Sequence, residues 1–252
     1  MRENDQDRMQ ASVAYHKQLW PSFQRTVSRV AFEEEPAILA QFASIQPGEK
    51  VLEVGCGTGR ILQGLLSITP HVVGVDVLWE AVDQTRRKGA PVIQASSFRL
   101  PFKDNAFDCV VCNDVIHSIN SELSDTFLRE LARVARGRVV LGAVRNRLAL
   151  FLDLGLLLQS LKRGRLVDAA TINVWFYYFW RVVRVTRGAG LTVMRVQPSA
   201  RYIALFTRYS WVKRLYRIKP GRVGIFGWFF PLPYGVLHYD VLLAKKTRDH
   251  GI

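Results

Sequence analysis

The sequence predicts an α/β fold, a doubly wound parallel sheet, on three observations. Short apolar runs alternate with segments of helical periodicity along roughly the first 145 residues. Gly55, Gly57 and Gly59 join the first apolar run directly to the helix that follows it, and glycine allows both a sharp turn and the close approach of a ligand. An apolar content of 49% supplies the core of one domain in a chain of 252 residues.

The elements alternate in a regular order along the chain. Strands are predicted at about residues 50–55, 71–76, 91–94, 107–113 and 138–144, with helices at about 59–68, 79–88 and 121–136. Two helices are predicted before the first strand, one over residues 9–31 and one beginning at Glu33–Pro36, because acids and proline are favoured in the first helical turn. This alternation predicts parallel β-α-β units.

Two acidic residues lie beside the glycine turn. Glu53 precedes Gly55 by two residues, and Asp76 ends the second strand, 23 residues after Glu53. An acid at that strand tip can accept hydrogen bonds from both hydroxyls of a ribose. The helix after the turn offers unpaired N–H groups to an anionic group. These features predict a site for an adenosine-containing cofactor.

The pattern E-x-G-x-G-x-G resembles the first motif of the class I S-adenosylmethionine (SAM) methyltransferases and differs from the dinucleotide fingerprint G-x-G-x-x-G. Three later segments resemble the family in the same order, namely SSFRLPF (96–102), FDCVVCNDVIHSI (107–119) and FLRELARVARGRVVL (127–141). The resemblance covers about residues 10–145. It implies a methyltransferase enzyme with SAM as cofactor and a Rossmann-like, seven-stranded doubly wound sheet with an antiparallel last strand. It also places a last helix at 173–188 and the final strands near 192–197 and 235–246.

The resemblance also assigns roles to individual residues. Glu53 orders the glycine turn and faces the amino end of the methionine, Asp76 takes the ribose hydroxyls, and Ser96 stands where many relatives carry an aspartate for the adenine. A serine accepts a hydrogen bond without a charge, so adenine binding is expected to rely more on neighbouring groups. The residues expected to bind the cofactor are Tyr15, Glu53, Gly55, Cys56, Gly57, Asp76, Val77, Ser96, Ser97, Phe98 and Asn113.

The candidate catalytic residue is His117, at a position where relatives often show a histidine. It is expected to take the proton from the hydroxyl group of the substrate that receives the methyl group. The alternative interpretation is that it packs beside the cofactor. Tyr15 similarly either closes over the cofactor or belongs to the core. Methyl transfer from a sulfonium depends mainly on positioning, which explains why the motifs concern the cofactor.

The charge is distributed unevenly between the two halves of the chain. Residues 1–146 hold 17 Lys and Arg and 17 Asp and Glu, whereas residues 147–252 hold 18 and 4, so the whole net charge of +14 lies in the second part. Most of the tyrosines and tryptophans lie there too. Basic residues beside aromatic ones favour an anionic membrane surface, although a solvated basic face or an insertion packed on the sheet also fits.

Two segments interrupt the predicted domain, which spans residues 1–252. The first insertion, at about 145–172, contains an apolar stretch that fits a lid, a helix in a membrane surface or a core helix. The second, at about 198–234, is basic and aromatic. Both are expected to form a cap or an interface.

Several classes of protein are disfavoured by the composition. Three cysteines cannot form a disulfide framework, and Cys109 and Cys112 should point to opposite faces of one strand, so no metal site is expected. The N-terminus lacks a signal-peptide core, and no apolar run reaches the roughly 20 residues of a membrane span. The expected location is the cytoplasm, with peripheral attachment at the inner membrane surface.

The leading hypothesis is a SAM-dependent methyltransferase for a small apolar or lipid-like acceptor. Three alternatives are a soluble natural-product O-methyltransferase, a nucleic-acid methyltransferase and a non-catalytic SAM-binding partner protein. Nucleic acid is disfavoured because Asn113–Ile116 lacks the Pro-Pro-Tyr/Phe needed for base amino methylation and no Pro-Cys nucleophile is present. Ser96 and the missing Pro-Gly-Gly near Arg136 keep the non-catalytic alternative open. The acceptor atom and the oligomeric state are left open.

Overall fold

The computed structural model describes residues 34–119, 122–145, 179–200 and 238–245, together with the helical residues Gln10, Val13, Ala14 and Lys17. The helices are α1 (Glu35–Ala43), α2 (Arg60–Leu66), α3 (Trp79–Arg87), a 3₁₀ helix (Ile116–Ser118), α4 (Ser124–Val134) and α5 (Phe179–Gly188). The strands are β1 (Val51–Val54), β2 (Val72–Asp76), β3 (Val92–Gln94), β4 (Phe107–Asn113), β5 (Ala135–Arg145), β6 (Leu191–Pro198) and β7 (His238–Lys245).

The strands form one seven-stranded sheet in the order β3-β2-β1-β4-β5-β7-β6. Strands β1 to β5 are mutually parallel, and β7 is antiparallel to both of its neighbours. The predicted α/β fold with an antiparallel last strand is therefore confirmed. After β1 the chain proceeds to β2 on one side and later to β4 on the other, and ligands of open α/β sheets bind where the order switches in this way.

Two layers of helices cover the sheet. Helices α1 and α2 pack on Val51, Val111 and Val140, and α3 joins the same face through Val82 and Val92. Helices α4 and α5 cover the opposite face. Cys109 and Cys112 belong to different faces and are buried thiols, as predicted.

Most predicted elements are present, and the largest differences in extent occur around α4 and β5. The helix predicted at 121–136 covers Ser124–Val134, because Ala135 is already extended and begins β5. The strand predicted at 138–144 is longer at both ends. An apolar-run criterion misses its start because Arg136 lies there, paired with Asp108.

The two insertions, Tyr15 and the start of the helix predicted at 173–188 lie outside the described residues. Within the part of the chain that the structure describes, no helix is both long enough and apolar enough to cross a membrane. The same part contains no cluster of three or more His, Cys, Asp or Glu side chains suited to a metal ion.

Candidate functional site at the carboxyl ends of β1, β2 and β4

The glycine turn follows β1 and has the left-handed backbone that glycine permits. Gly55, Gly57 and Gly59 have φ values of 74°, 53° and 76°. A Cβ on Gly55 would lie 2.4 Å from the side chain of Val115, which follows β4. The loops after β1 and β4 are therefore in close contact at the switch point of the sheet, and only glycine fits there.

Asp76 connects the glycine turn to the loop after β2. One carboxylate oxygen accepts the N–H of Gly57 at 2.9 Å, and the other accepts the N–H of Leu78 at 3.0 Å. Its side chain is only partly buried, so a ligand can reach the carboxylate. The acid at the strand tip is thus held in place from both sides, with Val77 and Gln94 beside it.

Glu53 lies beneath the glycine turn and is almost fully buried. Burial raises its pKa from 4.5 to about 8, the nearby Arg60 lowers it, and Asp76 and Glu35 raise it further. Its Oε2 atom has no hydrogen-bond partner among the described residues. A buried acceptor left without a partner costs free energy, which a cationic donor bound at this position would recover.

A buried ion pair between Glu35 and Arg60 joins α1 to the start of α2, beside the glycine turn. The carboxylate of Glu35, the first residue of α1, lies 2.6 Å from the guanidinium of Arg60 and accepts a hydrogen bond from the side-chain amide of Asn113 at 3.0 Å. Glu35 is fully buried, and Asn113 ends β4 as predicted. The amide nitrogen of Asn113 is therefore turned toward Glu35, and its oxygen has no partner within the described residues.

Asp240 extends the polar layer under β5 and β7. It is fully buried and accepts the N–H groups of Ala143 at 2.8 Å and of Ala200 at 2.6 Å, with Gln197 at 3.2 Å. Burial raises its pKa from 3.8 to about 6; these donors lower it, and Glu35 raises it. The polar layer beside the glycine turn therefore contains three buried acids, Glu35, Glu53 and Asp240, and Arg60 lies near the first two.

The loop after β3 carries the residues expected near the adenine. The hydroxyl of Ser96 accepts the N–H of Phe98 at 3.3 Å, and Phe98 packs edge-on against Phe127 of α4. Ser96, Ser97 and Phe98 are all partly buried. A serine that caps its own turn in this way provides no charge for the adenine.

Two residues of α4 hold the rest of this loop. The guanidinium of Arg133 donates to the carbonyls of Leu100 at 3.0 Å and Phe102 at 2.7 Å, and to Asp104 at 2.8 Å. Glu130 accepts both the N–H of Leu100 and the Arg133 guanidinium. The loop conformation is thus fixed by hydrogen bonds from outside it.

His117 lies in the 3₁₀ helix after β4 and is buried. Its Nε2 is 3.4 Å from a carboxylate oxygen of Asp114, whose backbone has a φ of 61°. Asp114 donates its N–H to Gly142 at 2.9 Å. The histidine is thus placed beside an acid close to the carboxyl end of β4.

The thiol of Cys56, within the glycine turn, is buried against Val82 and Val92. Burial raises its pKa well above the usual range, and Glu53 and Asp76 raise it further. The sulfur of Cys56 is therefore packed in the core, and the residue contributes only its backbone to the turn.

The structure brings together the predicted residues Glu53, Gly55, Gly57, Asp76 and Asn113 at one edge of the sheet, with Ser96–Phe98 and His117 on the adjoining loops. Sequence reasoning missed Glu35, Arg60 and Asp240. A signal existed for Asp240, an acid inside the apolar strand β7. Glu35 was taken only as a helix-start residue, because a pair between α1 and α2 leaves no local pattern.

Comparisons with known proteins agree with this geometry. Residues 52–141 match the family model described as Methyltransferase domain, and the predicted kinship with the class I SAM-dependent methyltransferases is confirmed. Residues 52–141 are therefore similar to that family.

Individual relatives match the same part of the chain. Probable tRNA methyltransferase 9B of Mus musculus is 33% identical over 90 residues, which cover 35% of this chain and 20% of that protein. Malonyl-[acyl-carrier protein] O-methyltransferase of Legionella pneumophila is 36% identical over 101 residues, covering 37% and 34%. The chain thus spans about a fifth of the length of the first relative.

Solved structures extend the similarity of fold to most of the chain. The magnesium protoporphyrin IX methyltransferase of Synechocystis, solved with bound SAH, covers 97% of this chain and 95% of its own. The TM-score is 0.54 and the sequence identity 15%, so this likeness concerns the fold.

Proposed function

We propose that the chain is a SAM-dependent methyltransferase that transfers a methyl group to a small apolar or lipid-like acceptor. The observation that carries the proposal is the bridging position of Asp76, which is fixed by Gly57 and Leu78 at the tip of β2, where open α/β sheets bind a ribose. The proposed domain is the whole chain, with the segments at about 145–172 and 198–234 as cap or interface.

The residues present fit SAM. The unpartnered oxygens of Glu53 and Asn113 suit the ammonium of its methionine, since both are buried and a bound cation would favour the ionised form of Glu53. Asp76 suits the ribose, and Ser96–Phe98 suit the adenine through backbone and apolar contacts. When bound, SAM supplies an activated methyl group on a sulfonium, so the protein mainly has to orient the acceptor.

The acceptor is proposed to be apolar and to be met at an anionic membrane surface. The names of the relatives differ in their acceptors, which include a tRNA, a malonyl group on a carrier protein and a magnesium porphyrin. Kinship therefore leaves the acceptor open. The support comes from the sequence, because the whole net charge of +14 lies after residue 146 among aromatic side chains.

A labelling experiment tests the proposed reaction. The full chain is incubated with SAM labelled in its methyl group, together with either an apolar lipid extract or purified tRNA. We expect label in the lipid fraction, abolished by Asp76→Ala. Label in tRNA alone would replace the proposed acceptor by nucleic acid. SAM binding without label in either pool would favour a non-catalytic SAM-binding protein.

Vesicle binding tests the proposed surface. We expect the chain to sediment with vesicles of anionic phospholipid more than with neutral ones, and less as salt rises, because each basic residue near such a surface contributes about 1 kcal/mol. Replacing Lys213, Arg214 and Arg217 by glutamine should weaken the salt-sensitive part. Replacing Trp228, Phe229 and Phe230 by serine should weaken binding at high salt also. Equal binding to neutral and anionic vesicles would contradict the proposal.

A further inference from the structure

Helix α3 contacts the glycine turn through Thr85 and Lys88, which we call the α3 brace. Thr85 is fully buried, and its hydroxyl donates to the carbonyl of Gly57 at 2.9 Å. The ammonium of Lys88, just after the helix, donates to the carbonyl of Thr58 at 2.7 Å. Two consecutive carbonyls of the turn are therefore held toward α3.

The brace acts on the same residue that orients Asp76. Gly57 donates its N–H to Asp76 at 2.9 Å while its carbonyl accepts from Thr85. A hydrogen-bonded chain thus runs from Thr85 through Gly57 to the carboxylate at the tip of β2. Because both polar groups of Gly57 are engaged, the position of the Asp76 carboxylate depends on the hydroxyl of Thr85.

The brace also fixes the orientation of the next peptide. In a trans peptide, the C=O of one residue and the N–H of the next point in opposite directions. Holding the Gly57 carbonyl toward α3 therefore turns the Thr58 N–H away from that helix. Thr85 further restricts the turn at Gly59, where a Cβ would lie 2.7 Å from the methyl group of Thr85.

We propose that Thr85, assisted by Lys88, is a positioning residue of the cofactor site, which holds Gly57 so that Asp76 is oriented for the ribose. This inference rests on the proposed function, in which Asp76 binds the ribose of SAM. Thr85 itself touches neither the cofactor nor the acceptor in this scheme. Loss of its hydroxyl would remove the donor to the partly buried Gly57 carbonyl and free the peptide to rotate.

The experiment compares two buried threonines, each of which donates to a backbone carbonyl, at different places in the fold. Thr85→Val removes the hydroxyl and keeps the shape, and Thr85→Ser keeps the hydroxyl. The matched control is Thr69→Val, because Thr69 is also fully buried and donates to a backbone carbonyl, that of Glu49, at 2.9 Å. Thr69 lies before β2, at the opposite edge of the sheet from the glycine turn.

The readouts are the Kd for SAM by calorimetry and the thermal midpoint Tm. We expect Thr85→Val to weaken SAM binding about fivefold to tenfold, the effect of losing one partly buried hydrogen bond. Thr85→Ser should bind within about twofold of the parent, and Thr69→Val should lower Tm while its Kd stays within about twofold. Unchanged binding by Thr85→Val, or an equal loss in Thr69→Val, would overturn the proposal.

A second variant keeps the test decisive if Thr85→Val does not fold. Lys88 is exposed, so Lys88→Met should fold, and we expect it to weaken SAM binding about twofold to fivefold. Its control is Arg87→Met, the preceding exposed residue, which pairs only with Asp83 among the interactions described for it. Binding by Lys88→Met equal to that of Arg87→Met would then overturn the proposal. A folded parent chain that does not bind SAM would instead refute the proposed function. The proposal that the α3 brace orients Asp76 for the ribose would then fail with it.

Discussion

Arg60 reaches back from the start of α2 to pair with Glu35 at the start of α1, with 2.6 Å between the guanidinium and a fully buried carboxylate. The pair ties the helix that follows the N-terminal segment to the helix that follows the glycine turn. A cation in the first turn of a helix is unfavourable against the helix dipole, and Glu35 neutralises it. Glu35 also accepts a hydrogen bond from the amide of Asn113, so one carboxylate links α1 with the start of α2 and the end of β4.

Breaking this pair should be strongly destabilising. We expect Glu35→Ala to lower the free energy of unfolding by about 3 kcal/mol or more, because it leaves Arg60 and the Asn113 amide without their buried partner. The matched control is Asp83→Ala, which breaks the exposed pair with Arg87 and should cost less than about 1 kcal/mol. Urea unfolding of the three proteins measures both values, and similar losses in the two variants would contradict the buried pair.

Because its pKa is raised in the folded state, Glu53 should make the free energy of unfolding fall as the pH rises. Its folded pKa is about 8 and its ordinary value is 4.5, so between these values the folded state holds a proton that the unfolded state has released. The free energy of unfolding should therefore decline across pH 4.5–8, by up to about 1.4 kcal/mol per pH unit.

The variant Glu53→Gln carries no such proton and supplies the comparison. Its stability relative to the parent should rise from pH 5 to pH 8 and then level off. Asp240, with a pKa of about 6, contributes a similar decline at lower pH to both proteins and so cancels in the difference. A constant difference between the two proteins from pH 5 to pH 8 would mean that Glu53 is ionised throughout.

Arg133 should control the order of the loop that carries Ser96–Phe98. Arg133→Met removes the donors to the carbonyls of Leu100 and Phe102. We expect faster amide exchange at residues 96–104 and SAM binding weaker by about threefold to tenfold. Arg129→Met on the same helix removes only an exposed pair with Asp125 and should change neither. Equal exchange in the two variants would show that the loop is held by its own contacts.

His117 should matter for turnover and not for cofactor binding. If it accepts a proton from the acceptor, His117→Ala should lower kcat about 100-fold or more with the Kd for SAM within about twofold of the parent. Its buried position beside Asp114, at 3.4 Å, fits that role and also fits packing. Steady-state kinetics with labelled SAM and the acceptor, together with calorimetry, decide between the two roles, and an unchanged kcat would leave His117 with a packing role.

The sequence predicted the part of the site that depends on local patterns. Gly55, Gly57, Glu53 and Asp76 lie at the ends of apolar strands, and strand ends of a parallel sheet meet at one edge whatever the rest of the chain does. The lengths of strands were predicted less well, because charged residues such as Arg136 belong to β5 and pair with acids of neighbouring elements, here Asp108.

The supporting contacts could not be predicted, because they depend on how helices pack. Thr85 reads as one polar residue beside Ala81 and Val82 on the buried side of α3, and only the packing of α3 against the turn shows that its hydroxyl meets Gly57. Arg60 and Glu35 are likewise joined by the packing of α1 on α2. The predictions for Tyr15 and the two insertions remain predictions, since those residues lie outside the described ones.

Calorimetric titration of SAM into the full chain and into Asp76→Ala tests the central claim most directly. The predicted result is saturable binding at one site by the parent, weakened about tenfold or more in the variant, which loses the carboxylate that would receive the ribose. Asp83→Ala, on the exposed side of α3, should bind as the parent does. A folded parent chain that shows no saturable SAM binding, or an Asp76→Ala variant that binds SAM as tightly as the parent, would contradict the claim.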